Sequence, residues 1–208
     1  MQVLCIPVGP LQANSYVVAD DEGTALWVDP GGEPERLTQV IEQRGLRLSH
    51  ILLTHGHFDH LAGTAGLAKA TGAQVACSLP VQPMLREPER FLLFPGYGEV
   101  PGYEADIILA EGDRIDAGDL GVTVIETPGH GPGDLTFEVE GALFCGDLLF
   151  RHSVGRTDFP GGDFETLVAS VRKLVQRYPA ETVVYPGHMG PTTLGEEAAE
   201  NPFLQGRI

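Results

Sequence analysis

One short segment constrains the fold of this chain more than any other: His55, His57, Asp59 and His60 fall within six residues. They follow an apolar run at residues 50–54, which predicts a buried strand. Side chains alternate along a strand, so we expect His55 and His57 to point to the same side. Imidazole and carboxylate groups are good ligands for first-row metal ions. The segment therefore predicts a metal-binding loop at the end of a strand.

Three further candidate ligands, His130, Asp147 and His188, each follow another strand-like run. Glycines adjoin all three and allow the chain to turn sharply beside them. A carboxylate such as Asp147 can lie between two ions that are a few ångströms apart. The repeated placement of ligand-type residues at strand ends extends the predicted loop into a larger metal site.

These seven side chains divide into two sets that share one carboxylate. The first ion is expected at His55, His57 and His130. The second ion is expected at Asp59, His60 and His188, with Asp147 between the two ions. Three protein ligands per ion leave open positions, which is typical of a catalytic site. Zinc, iron and manganese all accept such ligands, and we expect two divalent ions, with zinc as the first choice.

The order of predicted elements is strands followed by helices, twice. In the first half we predict strands at residues 3–8, 14–19, 25–29, 50–54 and 74–77, and helices at 33–44 and 61–71. In the second half we predict strands at 107–109, 122–127, 135–139, 142–145 and 182–185, and helices at 164–178 and 194–201. This order predicts an α/β fold in which two sheets, each with helices outside, pack together. No linker interrupts it, so we expect one domain over residues 1–208.

Charge excludes several classes of partner. The chain has 29 acidic and 13 basic residues, which gives a formal net charge of −16. Such a chain is poorly suited to nucleic-acid phosphates or to an anionic membrane surface. No apolar run approaches the roughly 18 residues that a spanning helix needs, and the first residues do not resemble a signal peptide. We expect a cytoplasmic protein that acts on a small molecule.

The spacing of the ligand candidates resembles that of the metallo-β-lactamase-fold superfamily. Within it, residues 127–130, 155–158 and 201–203 resemble glyoxalase II-like hydrolases. The resemblance implies an αββα four-layer sandwich with a dinuclear site at the shared edge of the two sheets. It also implies that Asp29 orients a ligand imidazole rather than binding an ion itself.

The resemblance further implies a metal-dependent thioester hydrolase, either a hydroxyacylglutathione hydrolase or a related acyl-thiol hydrolase. Two ions would generate hydroxide from bound water near neutral pH, and that hydroxide would attack the carbonyl carbon. Asp59 and Asp147 are the expected catalytic carboxylates, with Asp59 also orienting the hydroxide. Thiols have a pKa near 8.5, so the thiolate leaves without a strong general acid.

Recognition of the thiol is expected to differ from that in glyoxalase II proper. Those enzymes carry a further helical region after the metal core, whereas only 20 residues follow His188 here. The chain keeps a basic residue, Arg156, which either meets a substrate carboxylate or pairs with Asp158. The irregular, aromatic segment at residues 87–104 is the expected pocket wall, with Phe91, Phe94 and Tyr97 as candidate substrate contacts.

Two alternative functions are compatible with the same residues. The sequence also resembles persulfide dioxygenases, and this resemblance implies a single iron on His55, His130 and Asp147, a set of two histidines and one carboxylate that suits oxygen chemistry. A lactonase or β-lactamase of the same fold would use the same hydroxide to open a cyclic ester or amide.

Overall fold

The computed structural model describes residues 1–91 and 98–207. The first half of the chain forms a six-stranded sheet whose strands are neighbours in chain order. Its strands are β1 (Gln2–Val8), β2 (Ala13–Ala19), β3 (Thr24–Val28), β4 (Arg47–Leu52), β5 (Gln74–Ser78) and β6 (Ile107–Leu109). Strands β1 to β3 pair antiparallel, and β3 to β6 pair parallel. The carboxyl ends of the parallel strands therefore meet at one edge of the sheet.

The second half forms another six-stranded sheet and a small hairpin. Its strands are β7 (Arg114–Ala117), β8 (Leu120–Glu126), β9 (Leu135–Val139), β10 (Ala142–Gly146), β11 (Leu149–Phe150), β12 (Ser153–Val154), β13 (Val183–Pro186) and β14 (Thr192–Thr193). The spatial order of the sheet is β14-β13-β10-β9-β8-β7, and β11 pairs with β12 alone. Strands β10 and β13 are parallel, so their carboxyl ends also share an edge.

Six α-helices are present in the described part of the chain: α1 (Pro34–Arg44), α2 (Phe58–Leu61), α3 (Thr64–Thr71), α4 (Gln82–Arg86), α5 (Phe164–Arg177) and α6 (Leu194–Glu200). A 3-10 turn at Pro88–Phe91 follows α4. Helix α5 begins where Asp163 accepts a hydrogen bond from the backbone of Thr166, and it buries one apolar face. None of these helices is both long and apolar enough to cross a bilayer.

The buried apolar side chains form three layers. Leu37 of α1 and Leu67 of α3 pack with Trp27 on the outer face of the first sheet. Phe137 and other residues of the second sheet pack against residues of the first sheet between the two sheets. Leu167 and its neighbours from α5 and α6 cover the outer face of the second sheet. Helix, sheet, sheet, helix is the αββα arrangement, so this prediction is confirmed. That residues 1–208 form a single domain stays a prediction.

The structure corrects the helix predicted at residues 61–71, which is two helices separated at Ala62 and Gly63. The Gly63 backbone donates a hydrogen bond to the carbonyl of Pro30, 2.8 Å away. A Cβ atom on Gly63 would lie 2.8 Å from the carbonyl oxygens of Pro30 and Gly32, which is too close. The chain breaks the helix here to pack against the turn after β3.

Candidate metal centre

The loops after four strands meet at one edge of the sandwich. The loop after β4 carries His55 and His57, and helix α2, which follows this loop, carries Asp59 and His60. The loops after β8, β10 and β13 carry one predicted ligand each. The seven side chains that the structure brings together are His55, His57, Asp59, His60, His130, Asp147 and His188. They come from both sheets, so the cluster lies where the two sheets meet, as predicted.

The first set of ligand atoms is built from three imidazoles. One nitrogen from each of His55, His57 and His130 lies within 4.8 Å of the other two. Nδ1 of His57 and Nε2 of His130 are only 2.7 Å apart. Three ring nitrogens that converge in this way can face a single ion.

The second set is built from Asp59, His60 and His188, whose ligand atoms also lie within 4.8 Å of one another. Nε2 of His188 is 3.3 Å from Oδ2 of Asp59. Asp147 joins the two sets: its Oδ1 lies 3.4 Å from Nε2 of His60, and its Oδ2 lies 3.7 Å from Nε2 of both His130 and His188. A carboxylate in this position can bridge two ions.

Asp29 fixes the orientation of two of the imidazoles. Its Oδ2 accepts hydrogen bonds from Nδ1 of His60 at 3.0 Å and from the Thr54 hydroxyl at 2.6 Å. Because the Thr54 hydroxyl donates to Asp29, its oxygen can accept from Nδ1 of His55, 2.9 Å away. Both rings therefore present Nε2 to the cluster, and Asp29 itself lies behind the ligands.

A backbone carbonyl fixes the third imidazole. Nδ1 of His130 lies 2.7 Å from the carbonyl oxygen of Arg156. A carbonyl can only accept, so Nδ1 carries the proton and the lone pair of Nε2 faces the cluster. Arg156 directly follows the β11–β12 hairpin and Gly155, so this hairpin positions a group that sequence reasoning did not find.

The loop after β13 brings His188 close because it contains a glycine. A Cβ atom on Gly187 would lie 2.1 Å from Oδ1 of Asp147 and 2.7 Å from Cε1 of His60. Any larger residue would displace the shared carboxylate. The sequence pattern of glycine before the last histidine therefore has a steric cause.

Three buried polar atoms of the cluster indicate that its residues are suited to bind a metal ion. Nε2 of His55, Nε2 of His60 and Oδ1 of Asp147 have no hydrogen-bond partner among the described residues. A buried polar atom without a hydrogen-bond partner makes folding less favourable, so such atoms are rare in native proteins. All three are typical ligand atoms for a divalent cation, and they face one another. The residues therefore fit the group that the sequence predicts.

Burial keeps the first set of imidazoles uncharged. It lowers the pKa of His55 well below the ordinary value, and nearby His60, His57 and His130 lower it further. The pKa of His57 falls to about 4 and that of His130 to about 3, again mainly through burial. A neutral imidazole offers its lone pair without first losing a proton, which favours ion binding.

Two members of the second set, Asp59 and His60, are charged. Burial alone would lower the pKa of His60, but the carboxylates of Asp147, Asp59 and Asp29 outweigh it and raise the value to about 10. Burial would raise the pKa of Asp59, but His60 and His188 hold it at about 2. Burial raises the pKa of Asp147. Without ions, this half of the cluster therefore holds a proton that an ion must displace.

A cavity of about 260 Å³ opens over the cluster. Its lining consists of Leu11, His57, Phe58, Asp59, His130, Asp147, Arg156, Phe159 and His188. Larger cavities of about 530 and 610 Å³ lie elsewhere and touch none of the seven candidate ligands. The smaller cavity is the candidate substrate site, because candidate ligands line it and none of them lines the two larger cavities.

The four predicted substrate contacts have different outcomes. Arg156 lines the cavity. Phe91 lies on the 3-10 turn, is 39% exposed, and is not among the residues of the cavity wall. Phe94 and Tyr97 lie outside the described residues. The apolar side of the cavity is formed instead by Leu11, Phe58 and Phe159. The sequence indicated two of them only indirectly, because Phe58 and Phe159 are near predicted site residues in the chain.

Comparisons with known proteins agree with this geometry. A family model described as the metallo-beta-lactamase superfamily matches residues 8–188. The hydroxyacylglutathione hydrolase GloC of Haemophilus influenzae is 36% identical over 212 residues, which cover 100% of both chains. The mitochondrial persulfide dioxygenase ETHE1 of Mus musculus is 32% identical over 202 residues, 91% of this chain and 70% of that protein.

Solved structures share the fold over nearly the whole chain. The BLEG-1 B3 metallo-beta-lactamase superposes with a TM-score of 0.93 at 35% identity, over 99% of this chain and 100% of that one. TTHA1623 in a di-iron-bound form superposes with a TM-score of 0.83 at 40% identity, over 97% and 100%. By sequence and by fold, this chain belongs to the metallo-beta-lactamase superfamily.

Proposed function

We propose that this protein is a metal-dependent hydrolase of acyl thiols, similar in activity to hydroxyacylglutathione hydrolases. The observation that carries this proposal is the pair of ligand sets that share Asp147 beneath one cavity. Three protein ligands per ion leave open positions for water and substrate. The name of the Haemophilus influenzae relative supports a thioester as the substrate.

The proposed division of ligands follows the two sets. The first ion would be held by His55, His57 and His130, the second by Asp59, His60 and His188, and Asp147 would contact both. Zinc is our first choice for both positions, and the di-iron form of a similar structure keeps iron as a candidate. When bound, two such ions lower the pKa of water and stabilise negative charge on a carbonyl oxygen.

The chain's own residues would perform the remaining tasks. Asp59, with its pKa at about 2, is ionised at neutral pH and can accept a hydrogen bond that orients a water molecule. Leu11, Phe58 and Phe159 form an apolar wall that can hold the acyl group and keep bulk water away. The thiol would leave as a thiolate, which needs no strong acid.

The test is a set of three assays on the zinc-loaded and the iron-loaded protein. We expect two ions per chain, hydrolysis of S-lactoylglutathione, and no oxygen uptake with glutathione persulfide. His55→Ala should abolish hydrolysis together with ion loss. His50→Ala is the matched control, because His50 lies on β4 outside the cluster and should leave hydrolysis unchanged. Opening of a lactone or β-lactam without thioester hydrolysis would show that the proposed substrate class is wrong.

A second candidate function is persulfide dioxygenation, which the similarity to the Mus musculus protein favours. This reaction would use one iron held by His55, His130 and Asp147. Oxygen uptake with glutathione persulfide, together with one iron per chain, would establish it in place of hydrolysis.

A further inference from the structure

The mouth of the cavity carries one arginine, and that arginine is already paired. Nε and Nη2 of Arg156 each donate a hydrogen bond of 2.7 Å to a different oxygen of Asp158. The guanidinium carbon also lies 3.8 Å from the centre of the Phe159 ring. A carboxylate fork and an aromatic face are the two partners that arginine prefers, and here the chain itself supplies both.

The pairing neutralises the arginine. The hydrogen bonds from Arg156 lower the pKa of Asp158 to about 2, so the pair has no net charge at neutral pH. Among the described residues that line the cavity, Arg156 is the only arginine or lysine. Among the described lining residues, a substrate carboxylate at the mouth therefore meets no unpaired arginine or lysine, and the chain as a whole carries a charge of −16.

Building on the proposed thioester hydrolysis, we propose that Asp158 is a specificity-determining residue that withholds Arg156 from substrate carboxylates. The site then takes acyl thiols with an uncharged thiol portion at least as readily as acyl thiols with a carboxylate-bearing one. Asp158 touches no candidate ligand in the described structure, so its effect should fall on substrate selection and not on ion binding.

Two substrates with the same acyl group measure this effect. S-lactoylglutathione carries carboxylates on its thiol portion, and S-lactoyl-N-acetylcysteamine carries none. For the wild-type protein, kcat/KM for the uncharged substrate should equal or exceed that for S-lactoylglutathione. Asp158→Ala should raise kcat/KM for S-lactoylglutathione by roughly two- to fivefold, the range of an exposed charge contact, and leave the uncharged substrate unchanged. The gain should shrink as salt is added.

Two further variants show whether the gain comes through Arg156. Glu165→Gln removes an equal charge from an exposed pair with Arg207 and should change neither substrate. The double variant Arg156→Gln, Asp158→Ala should lose the gain. The inference is overturned if Asp158→Ala leaves the ratio of the two substrates unchanged, or if the double variant keeps the gain. If the wild-type protein hydrolyses neither thioester, the proposed function fails first, which is a separate result.

Discussion

Replacing Asp29 with asparagine tests whether the hydrogen bonds behind the ligands control ion binding. Asp29 is 2% exposed, and its backbone has a φ of 52°, a left-handed conformation that asparagine also tolerates. Its carboxylate accepts three hydrogen bonds: from the Thr54 backbone at 2.8 Å, from the Thr54 hydroxyl at 2.6 Å, and from Nδ1 of His60 at 3.0 Å. In the variant, one of the two oxygens becomes an NH₂ group, which cannot accept.

The expected loss of ion affinity follows from the number of hydrogen bonds that Asp29 accepts. Whichever way the amide is turned, at least one of the three donors loses its acceptor while it stays buried. A hydrogen bond to a charged group is worth about 1.5–3 kcal/mol. That range corresponds to a loss of roughly 10- to 100-fold in ion affinity, which is typical when a partner of a ligand is removed. We therefore expect the Asp29→Asn variant to bind zinc more weakly by this factor.

The assay is a competition for zinc between the protein and a chromophoric chelator, with thermal unfolding of the ion-free protein measured in parallel. Asp20→Asn is the matched control. Asp20 is 5% exposed and also accepts three hydrogen bonds, from the backbones of Glu22, Thr24 and Asp119. It should lose stability but keep its zinc affinity. A zinc affinity in Asp29→Asn within about twofold of wild type would refute the reasoning, because this is less than one hydrogen bond contributes.

Three further predictions follow from the same geometry. Asp147→Ala removes the carboxylate between the two ligand sets and should abolish turnover with loss of at least one ion; full turnover with both ions bound would contradict the bridging role. Asn14→Ala removes an amide that donates, at 2.9 and 2.7 Å, to the two backbone carbonyls on either side of Gly187 and His188. A cobalt titration should show weaker binding at the set that contains His188, and equal weakening at both sets would argue against this. In the ion-free protein, the pKa of His60 is raised to about 10, so its contribution to stability is complete below its ordinary value of 6.5 and lost as pH rises to about 10. The pKa of His57 is lowered to about 4, so stability also falls as pH drops from 6.5 to 4. The melting temperature of the chelated protein should therefore peak near pH 6.5, and a steady rise or fall across this range would contradict the assignment.

The ligand positions were predictable because each depends on local sequence. A buried strand has a recognisable apolar run, and a histidine or aspartate directly after it stands at the edge of the sheet. Strands β4, β8, β10 and β13 all carry such runs, and the seven candidate ligands follow them in the chain, with Asp59 and His60 on the short helix after β4. That these side chains bind ions stays a prediction. The two-layer packing of the sheets followed from the repeated order of strands and helices.

Apart from Asp29, whose role the resemblance implied, the groups that orient the ligands were not predictable in the same way. The acceptor for His130 is the backbone carbonyl of Arg156, and a carbonyl has no signature in the sequence. The hairpin that carries it has strands of two residues each, too short to show a period. Thr54 was counted as the end of a strand, although its hydroxyl joins Asp29 to His55. Strand β7 was missed because its alternation covers only four residues.

Similarity to known proteins identifies the fold of this chain but does not identify its reaction. Relatives named as a hydrolase and as a dioxygenase both match it over more than nine-tenths of its length. The fold and the strand order, which such matches share, therefore cannot separate the two reactions. Under the two proposed functions, the difference would come from a few side chains around the cavity and from how firmly Asp59, His60 and His188 hold an ion. Asp158 affects the side chains around the cavity, because it pairs with Arg156. Asn14 affects ion binding by the second ligand set, because it holds the loop that carries His188. Variants at these two positions should report on substrate and reaction, whereas variants in the three apolar layers should report on stability alone.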